Sequence, residues 1–258
     1  MKLFFGQIFP EIQIDSDEQQ HITKVLRMRE GEEIFVTDGK GNLAKGSLIL
    51  EGKKVSLHVL EVQKDLPDFS PKLHIAIAPT KNIDRIEFFV EKAVEMGIAE
   101  ISFIQTDNSE RKIINIDKIR KQAIGASKQS LRCHFPVVND LRKFSDFMKT
   151  LDPETTFVAH CNENLERINL NALRSFDSAQ DDKRDNKTSD DMPVDVRLRF
   201  SKTFSQYTFL IGPEGDFSDK EIQLLADKGI KAVSLGNQRL RTETAGIFVA
   251  AWNYDRMF

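Results

Sequence analysis

Apolar positions in the first 70 residues fall in short β-rich runs, Glu33–Thr37, Leu43–Leu50 and Lys54–Glu61. Two polar, glycine-bearing turns, Asp38–Asn42 and Glu51–Lys53, separate them. One helix interrupts the pattern. Ser16-Asp17-Glu18-Gln19 is a capping-box sequence, in which the serine oxygen takes an orphan amide and Gln19 reaches back. Ile22, Val25 and Leu26 then form an apolar face at i, i+3 and i+4. A small β-rich module with one short helix suits a compact barrel. Pro67 and Pro71 flank polar residues within Asp65–Lys72, and the domain boundary is placed there, dividing residues 1–70 from 71–258.

Beyond the boundary, strands alternate with helices. Leu73–Ala78 reads as a buried strand, and Thr80 as the cap of a helix whose inward stripe is Ile86, Phe89, Val90, Ala93 and Val94. Gly97 falls where a left-handed helix end is expected. A strand at Ile98–Ile104 and a helix at Asp117–Leu131 follow, then strands at Thr156–Ala159, Thr208–Ile211 and Lys231–Ser234. The helix after Phe217 carries its own capping box, Ser218-Asp219-Lys220-Glu221, and ends near Gly229; a final helix runs over Thr242–Tyr254. The alternation predicts an α/β domain with a parallel sheet covered on both faces, and ligands at the carboxyl ends of its strands. Asp177–Lys202 is charged, serine-bearing and aperiodic, and reads as a disordered insertion rather than a lid.

Composition narrows the function classes. Hydrophobic residues make up 40% and charged residues 30% of the 258, with a net charge of −3. That excludes global disorder and a polycation that coats nucleic acid. No apolar run approaches the ~18 residues of a spanning helix. Met1–Pro10 lacks the features of a secretory signal, and two cysteines, Cys133 and Cys161, fit a reducing cytoplasm. The five histidines show no metal-ligand spacing, so no metal is expected. Charge is uneven, however. Arg111, Lys112, Lys118, Arg120, Lys121, Lys128 and Arg132 face one acid, Asp117, within a single stretch. A phosphate-rich partner and a solvated helix face both account for this.

Three stretches could carry chemistry. Leu210-Ile211-Gly212-Pro213-Glu214-Gly215 is an apolar strand end followed by a bend whose glycines allow close backbone approach. Taken alone, Gly-Pro-Glu-Gly reads as a tight strand-to-helix connection. Leu235-Gly236-Asn237-Gln238-Arg239-Leu240-Arg241-Thr242-Glu243-Thr244-Ala245 also follows a strand and opens a helix. Thr242 reads as its N-cap, and Glu243 suits the positive end of the dipole. Arg239 and Arg241 do not, because that field disfavours cations, so an anionic partner is implied. Ala126-Ser127-Lys128-Gln129-Ser130-Leu131-Arg132 ends the basic helix.

Together and in this order, these stretches resemble the RsmE family, the 16S ribosomal RNA uridine-N3 methyltransferases of the SPOUT superfamily. His21–Arg27 resembles the family's N-terminal module, Lys81–Gly97 (KNIDRIEFFVEKAVEMG) its helix ending in K-x-x-E-x-G, and Gly212–Gly215 and Leu240–Ala245 (LRTETA) its two cofactor loops. Family members usually carry Glu-Gln at Lys128-Gln129, and often Gly at Asp216. The resemblance implies a C-terminal SPOUT domain with a deep trefoil knot, a PUA-like β-barrel before it, S-adenosylmethionine as cofactor, a homodimer, and 16S ribosomal RNA or the small ribosomal subunit as partner.

It also implies roles. The cofactor is expected on Ala159, His160, Leu210, Ile211, Gly212, Pro213, Glu214, Gly215, Leu235, Gly236, Asn237, Leu240 and Thr244. RNA contact is expected from Lys24, Arg27, Arg29, Lys81, Arg85, Arg111, Lys128, Gln129, Arg132 and Arg239. Methylating N3 requires favouring the imidate form of uracil, for which a fixed cation is suited. Arg241 is the first candidate and Arg132 the second; Glu214 or Glu243 could take the proton, unless bulk water does. A knotted relative acting on a ribose 2′-hydroxyl or another base, or a non-catalytic RNA-binding assembly factor, are the alternatives.

Overall fold

A computed structural model describes residues 1–52, 54–68, 72–161, 166–173 and 206–256. The expected insertion at Asp177–Lys202 lies outside the described residues. The chain divides into two compact units, Met1–Asp68 with Ala123–Phe135, and Phe69–Gln122 with Pro136–Phe258.

The first unit is a five-stranded sheet of order β2-β1-β3-β4-β5. Its strands are β1 (Leu3–Gln7), β2 (Gln13–Ile14), β3 (Glu33–Thr37), β4 (Leu43–Glu51) and β5 (Lys54–Gln63). Phe4, Ile8, Ile22, Ile34, Val36 and Leu48 centre its core. Helix α1 (Ser16–Gln20) departs from the capping-box expectation. Asp15, not Ser16, is the N-cap, its Oδ1 accepting from the Asp17 amide at 2.9 Å. Gln19 instead donates to the Ile14 carbonyl and accepts from the Val55 amide, tying the helix to β5. The predicted apolar face also fails. His21–Val25 forms a π-turn, closed by the Leu26 amide on the His21 carbonyl at 2.9 Å. The wider turn shifts the register, so Ile22 is buried while Val25 and Leu26 are 66% and 46% exposed. Residues 123–135 belong with this unit because the Gly41 amide bonds the Cys133 carbonyl, the Phe135 amide bonds the Gly39 carbonyl, and Lys128 pairs with Glu18.

The second unit is a seven-stranded parallel sheet of order β10-β12-β9-β11-β6-β7-β8. Its strands are β6 (Leu73–Ile77), β7 (Glu100–Gln105), β8 (Val137–Lys143), β9 (Thr156–Ala159), β10 (Ile168–Asn169), β11 (Tyr207–Ile211) and β12 (Lys231–Ser234). Two late strands are inserted between earlier ones: β11 between β6 and β9, β12 between β9 and β10. Interior strand β6 is buried along its whole length, as a strand covered on both faces must be.

Helix α2 (Ile83–Glu95) buries the predicted stripe. Its N-cap is Asn82 rather than Thr80: Asn82 Oδ1 accepts from the Asp84 amide, while the Thr80 hydroxyl donates to the Asn82 carbonyl. Gly97 ends the helix at φ +89°. Helix α3 spans Ile116–Gln129, and α4 spans Phe144–Phe147. Helix α5 (Asp219–Asp227) has both arms of the predicted capping box. Helix α6 (Thr242–Asp255) is capped by Arg241 without a side-chain bond. Thr242, the expected cap, is already helical and donates to the Gly212 carbonyl at 3.0 Å.

Candidate active site

The carboxyl ends of β9, β11 and β12 lie side by side, and the loops leaving them meet the first turn of α6. Between them is a cleft of about 220 Å³. Ala159, Ile211, Leu240 and Ala245 give it apolar walls, and Gly212 and Pro213 present backbone. Glu214, Asp216, Arg239 and Arg241 bring charge to it. A polar chamber of about 700 Å³ shares Cys161, Asp216 and Arg239 with the cleft and adds Arg167, Gly236 and Asn237.

Three ties fix the loops against one another. The first is Thr242 Oγ1 on the Gly212 carbonyl. The second is Arg239 Nη2 on the Glu214 carbonyl at 3.4 Å. The third is Asp216, which sits in the left-handed region at φ +62°. Aspartate tolerates that conformation when its side chain bonds locally. Its Oδ1 accepts from the Phe217 amide at 2.8 Å, and its Oδ2 accepts from the Cys161 amide at 2.7 Å, which pins the loop after β9. Asn108 Nδ2 donates to the carbonyls of Gly215 and Asp216 from the loop after β7. Cys161 and Asn108 were missed by sequence reasoning. Their position just past strand ends was the available signal.

The other expected cofactor residues are placed variously. Leu210 packs in the core rather than lining the cleft. Gly215 lies against Asn108. Leu235 is half-buried and Thr244 is exposed on α6. His160 is buried; its carbonyl accepts from Arg167 Nη1 at 3.0 Å. Burial, helped by Arg167 and opposed by Asp216, pushes its imidazole pKa below the usual value.

The charged candidates form two groups. In the second unit, Arg241 is exposed and has no side-chain hydrogen bond or ion pair among the described residues. Arg85 stands between two carboxylates, with Nη1 3.9 Å from Glu214 Oε1 and Nε 3.8 Å from Glu243 Oε1. Glu214 Oε1 also accepts from the Lys81 amide at 3.2 Å. Glu243 is 7% exposed, and its Oε2 is buried without a partner among the described residues. Lys81 pairs with Glu110, and Arg111 donates to the carbonyls of Thr80 and Lys81.

In the first unit, Lys24, Arg27, Arg29 and Gln129 are exposed, Arg27 at φ +49°. Lys128 is committed to Glu18. Arg132 is partly buried; burial lowers its guanidinium pKa, and Asp68 acts in the opposite direction. The structure thus gathers Arg85, Arg239, Arg241, Glu214 and Glu243 at the cleft or beside it, and places Lys128 and Arg132 in the other unit. No group of His, Cys, Asp or Glu among the described residues could hold a metal.

Residues 68–253 match a family model described as an RNA methyltransferase domain, and residues 14–59 match an RNA methyltransferase PUA domain. The chain is 26% identical to the ribosomal RNA small subunit methyltransferase E of Rickettsia conorii, over 93% of this chain and 88% of that one. Among solved structures it resembles a probable rRNA-methyltransferase from Porphyromonas gingivalis, with TM-score 0.79, 29% identity, and coverage of 100% and 98% of the two chains. The fold also matches a ribosomal RNA small subunit methyltransferase E from Neisseria gonorrhoeae bound to S-adenosyl methionine (TM-score 0.71, 24% identity, 98% and 96% coverage).

Proposed function

The chain belongs to the RNA methyltransferase family, and on that premise we propose that it methylates N3 of a uridine in 16S ribosomal RNA with S-adenosylmethionine as donor. Relatives named for small-subunit ribosomal RNA support the substrate class, and a fold neighbour solved with S-adenosyl methionine supports the donor. The observation that carries the reading is the cleft at three parallel strand ends, apolar inside and bordered by Arg241.

The residues fit such a donor. Ile211, Leu240 and Ala245 suit the adenine face, and the Gly212–Pro213 backbone and the Gly236–Leu240 segment can take its polar edges. When bound, the cofactor supplies a methyl group made electrophilic by a sulfonium. Arg241 is the cation that stabilises negative charge on the uracil O2 or O4 as N3 loses its proton. Of the two carboxylates, Glu214 lines the cleft and gives only its Oε1 to the Lys81 amide, whereas Glu243 is buried and its Oε2 is closed to solvent. We assign the proton of N3 to Glu214, the carboxylate that faces the cleft. The N3 lone pair then forms the bond to the methyl carbon, the carbon–sulfur bond breaks, and its electron pair stays on a neutral thioether.

Two further parts of the reading concern assembly. Helix α6 carries apolar residues on both faces of its middle turns: Val249, Ala250 and Trp252 face inward, while Phe248 and Tyr254 are 45% and 41% exposed. A helix of that kind is normally covered, and we propose a second copy of the chain as its cover. The insertion of β11 and β12 between earlier strands is the sheet order that a threaded, trefoil-knotted chain would leave. A cytoplasmic site of action follows from a ribosomal substrate, and no helix among the described residues is long and apolar enough to cross a membrane.

The test is methyl transfer from labelled cofactor to purified small subunits and to naked 16S RNA, with the site mapped by reverse transcription. An N3-methyl group blocks the pairing edge and stops the polymerase at one uridine. Label that enters the RNA without such a stop would refute the N3 assignment and point to a ribose hydroxyl or to a base position off the pairing edge. No incorporation at all would refute the activity.

A further inference from the structure

Arg85 was expected to meet RNA, yet its guanidinium stands between Glu214 of the bend after β11 and Glu243 of the first turn of α6, at 3.9 and 3.8 Å. These two carboxylates come from the two segments that flank the cleft. Left without a cation they would repel one another. Arg85 reaches both because its fork carries several donors in one plane, which a lysine ammonium does not. It engages Oε1 of Glu243 and leaves Oε2 buried and unpartnered among the described residues. A buried acceptor without a donor is costly and calls for an explanation. Arg85 offsets part of that cost, because it neutralises a carboxylate that is otherwise buried without a cation among the described residues.

We infer that Arg85 is a positioning residue, which braces the Gly-Pro-Glu-Gly bend against α6 and so holds Glu214 at the cleft. The inference rests on the methyltransferase reading above. It departs from a phosphate-contact role for this arginine.

The two roles give different measurements on the full-length protein. RNA affinity is followed against salt for wild type and Arg85→Gln, alongside kcat, the KM for each substrate, and S-adenosylmethionine affinity by calorimetry. A positioning residue predicts a kcat at least about tenfold lower, with RNA affinity and its salt slope unchanged. Arg85→Lys should recover only part of the loss. Glu243→Gln should lower kcat similarly, and the double variant should fall well short of the product of the two effects. A thermal unfolding scan separates this from misfolding, since coupling between the two sites is read only among variants that melt like the wild type. Arg85→Gln with normal kcat but weaker RNA binding, and a salt slope lower by about one, would overturn the inference and restore a phosphate contact. Independent, multiplicative effects of the two substitutions would overturn it as well. A wild type that neither binds the cofactor nor transfers methyl would instead sink the methyltransferase reading and this inference with it.

Discussion

Replacing Asp216 by glycine isolates what its carboxylate does, because glycine accepts φ +62° more readily than aspartate. The substitution removes acceptors for the Phe217 amide at 2.8 Å and the Cys161 amide at 2.7 Å. Hydrogen bonds to a charged group contribute about 1.5–3 kcal/mol each. Asp216 is half-buried, so the lower end applies, and the two together are worth about 3 kcal/mol gross. Relief of the left-handed conformation returns about 1 kcal/mol. Water reaching the exposed Cys161 amide returns a little more, leaving a net loss of about 1–2 kcal/mol at the loop after β9. If that loop must be ordered to hold the donor, affinity for S-adenosylmethionine falls about 5- to 30-fold. Calorimetric titration measures the affinity, and hydrogen exchange at the Cys161 amide measures the loop directly. Asp216→Asn keeps one acceptor oxygen and tolerates the same backbone, so it should fall between the two. Wild-type affinity in the glycine variant, or unchanged exchange at Cys161, would refute the latch.

Other consequences are equally measurable. Arg241→Ala should lower methyl transfer at least about tenfold while calorimetry shows cofactor affinity largely retained; unchanged turnover removes this residue from the chemistry. Gly246→Ala would set a methyl group 2.5 Å from the Phe89 ring where α6 meets α2, so a loss of about 1–3 kcal/mol from overpacking is expected despite alanine's better helix propensity, read as a lower denaturation midpoint. His74 is buried with Nε2 2.8 Å from Ser102 Oγ; burial holds its pKa below the ordinary 6.5, with Glu100 opposing. The unfolded chain therefore takes up the proton first as pH falls, so the stability this histidine contributes is complete above about pH 6.5 and lost as acid carries the protein down through the folded-state value. Melting curves from pH 8 to 5 should show that decline, and a variant carrying glutamine at this position should show a shallower one.

The elements legible in the sequence are those whose signal is local. The inward stripe of α2 repeats at helical spacing, the capping box of α5 spans four residues, and β9 and β12 are short runs that need no partner to be recognised. Elements set by competition with neighbours were not legible. Asp15 outbid Ser16 for the start of α1 because Gln19 found better partners in Ile14 and Val55, the latter 36 residues away. The π-turn after it leaves no mark in a pattern of apolar residues, so a face drawn for a regular helix pointed Val25 and Leu26 the wrong way. Strand β8 was not legible because it lies at the sheet edge, with Val138 its one buried residue and polar Asn139, Asp140, Arg142 and Lys143 making up most of the rest.

The same division runs through the site. Residue types around the cleft were readable, because glycine, proline and arginine just past strand ends announce a bend and a charge. What each charge does was not readable, because it depends on partners distant in sequence. Glu214 meets the Lys81 amide across 133 residues, Asn108 meets Gly215 across 107, and Asp216 meets Cys161 across 55. A linear reading therefore assigns every basic residue near a cleft to an anionic ligand. The folded chain spends Lys81 on Glu110, Arg111 on two carbonyls and Arg85 on two carboxylates, and leaves Arg241 uncommitted among the described residues. Commitment of the surrounding cations is what turns one exposed guanidinium into the specific candidate for chemistry. Among the described residues that line the cleft, a substrate that develops negative charge meets one cationic side chain whose donors are all still free.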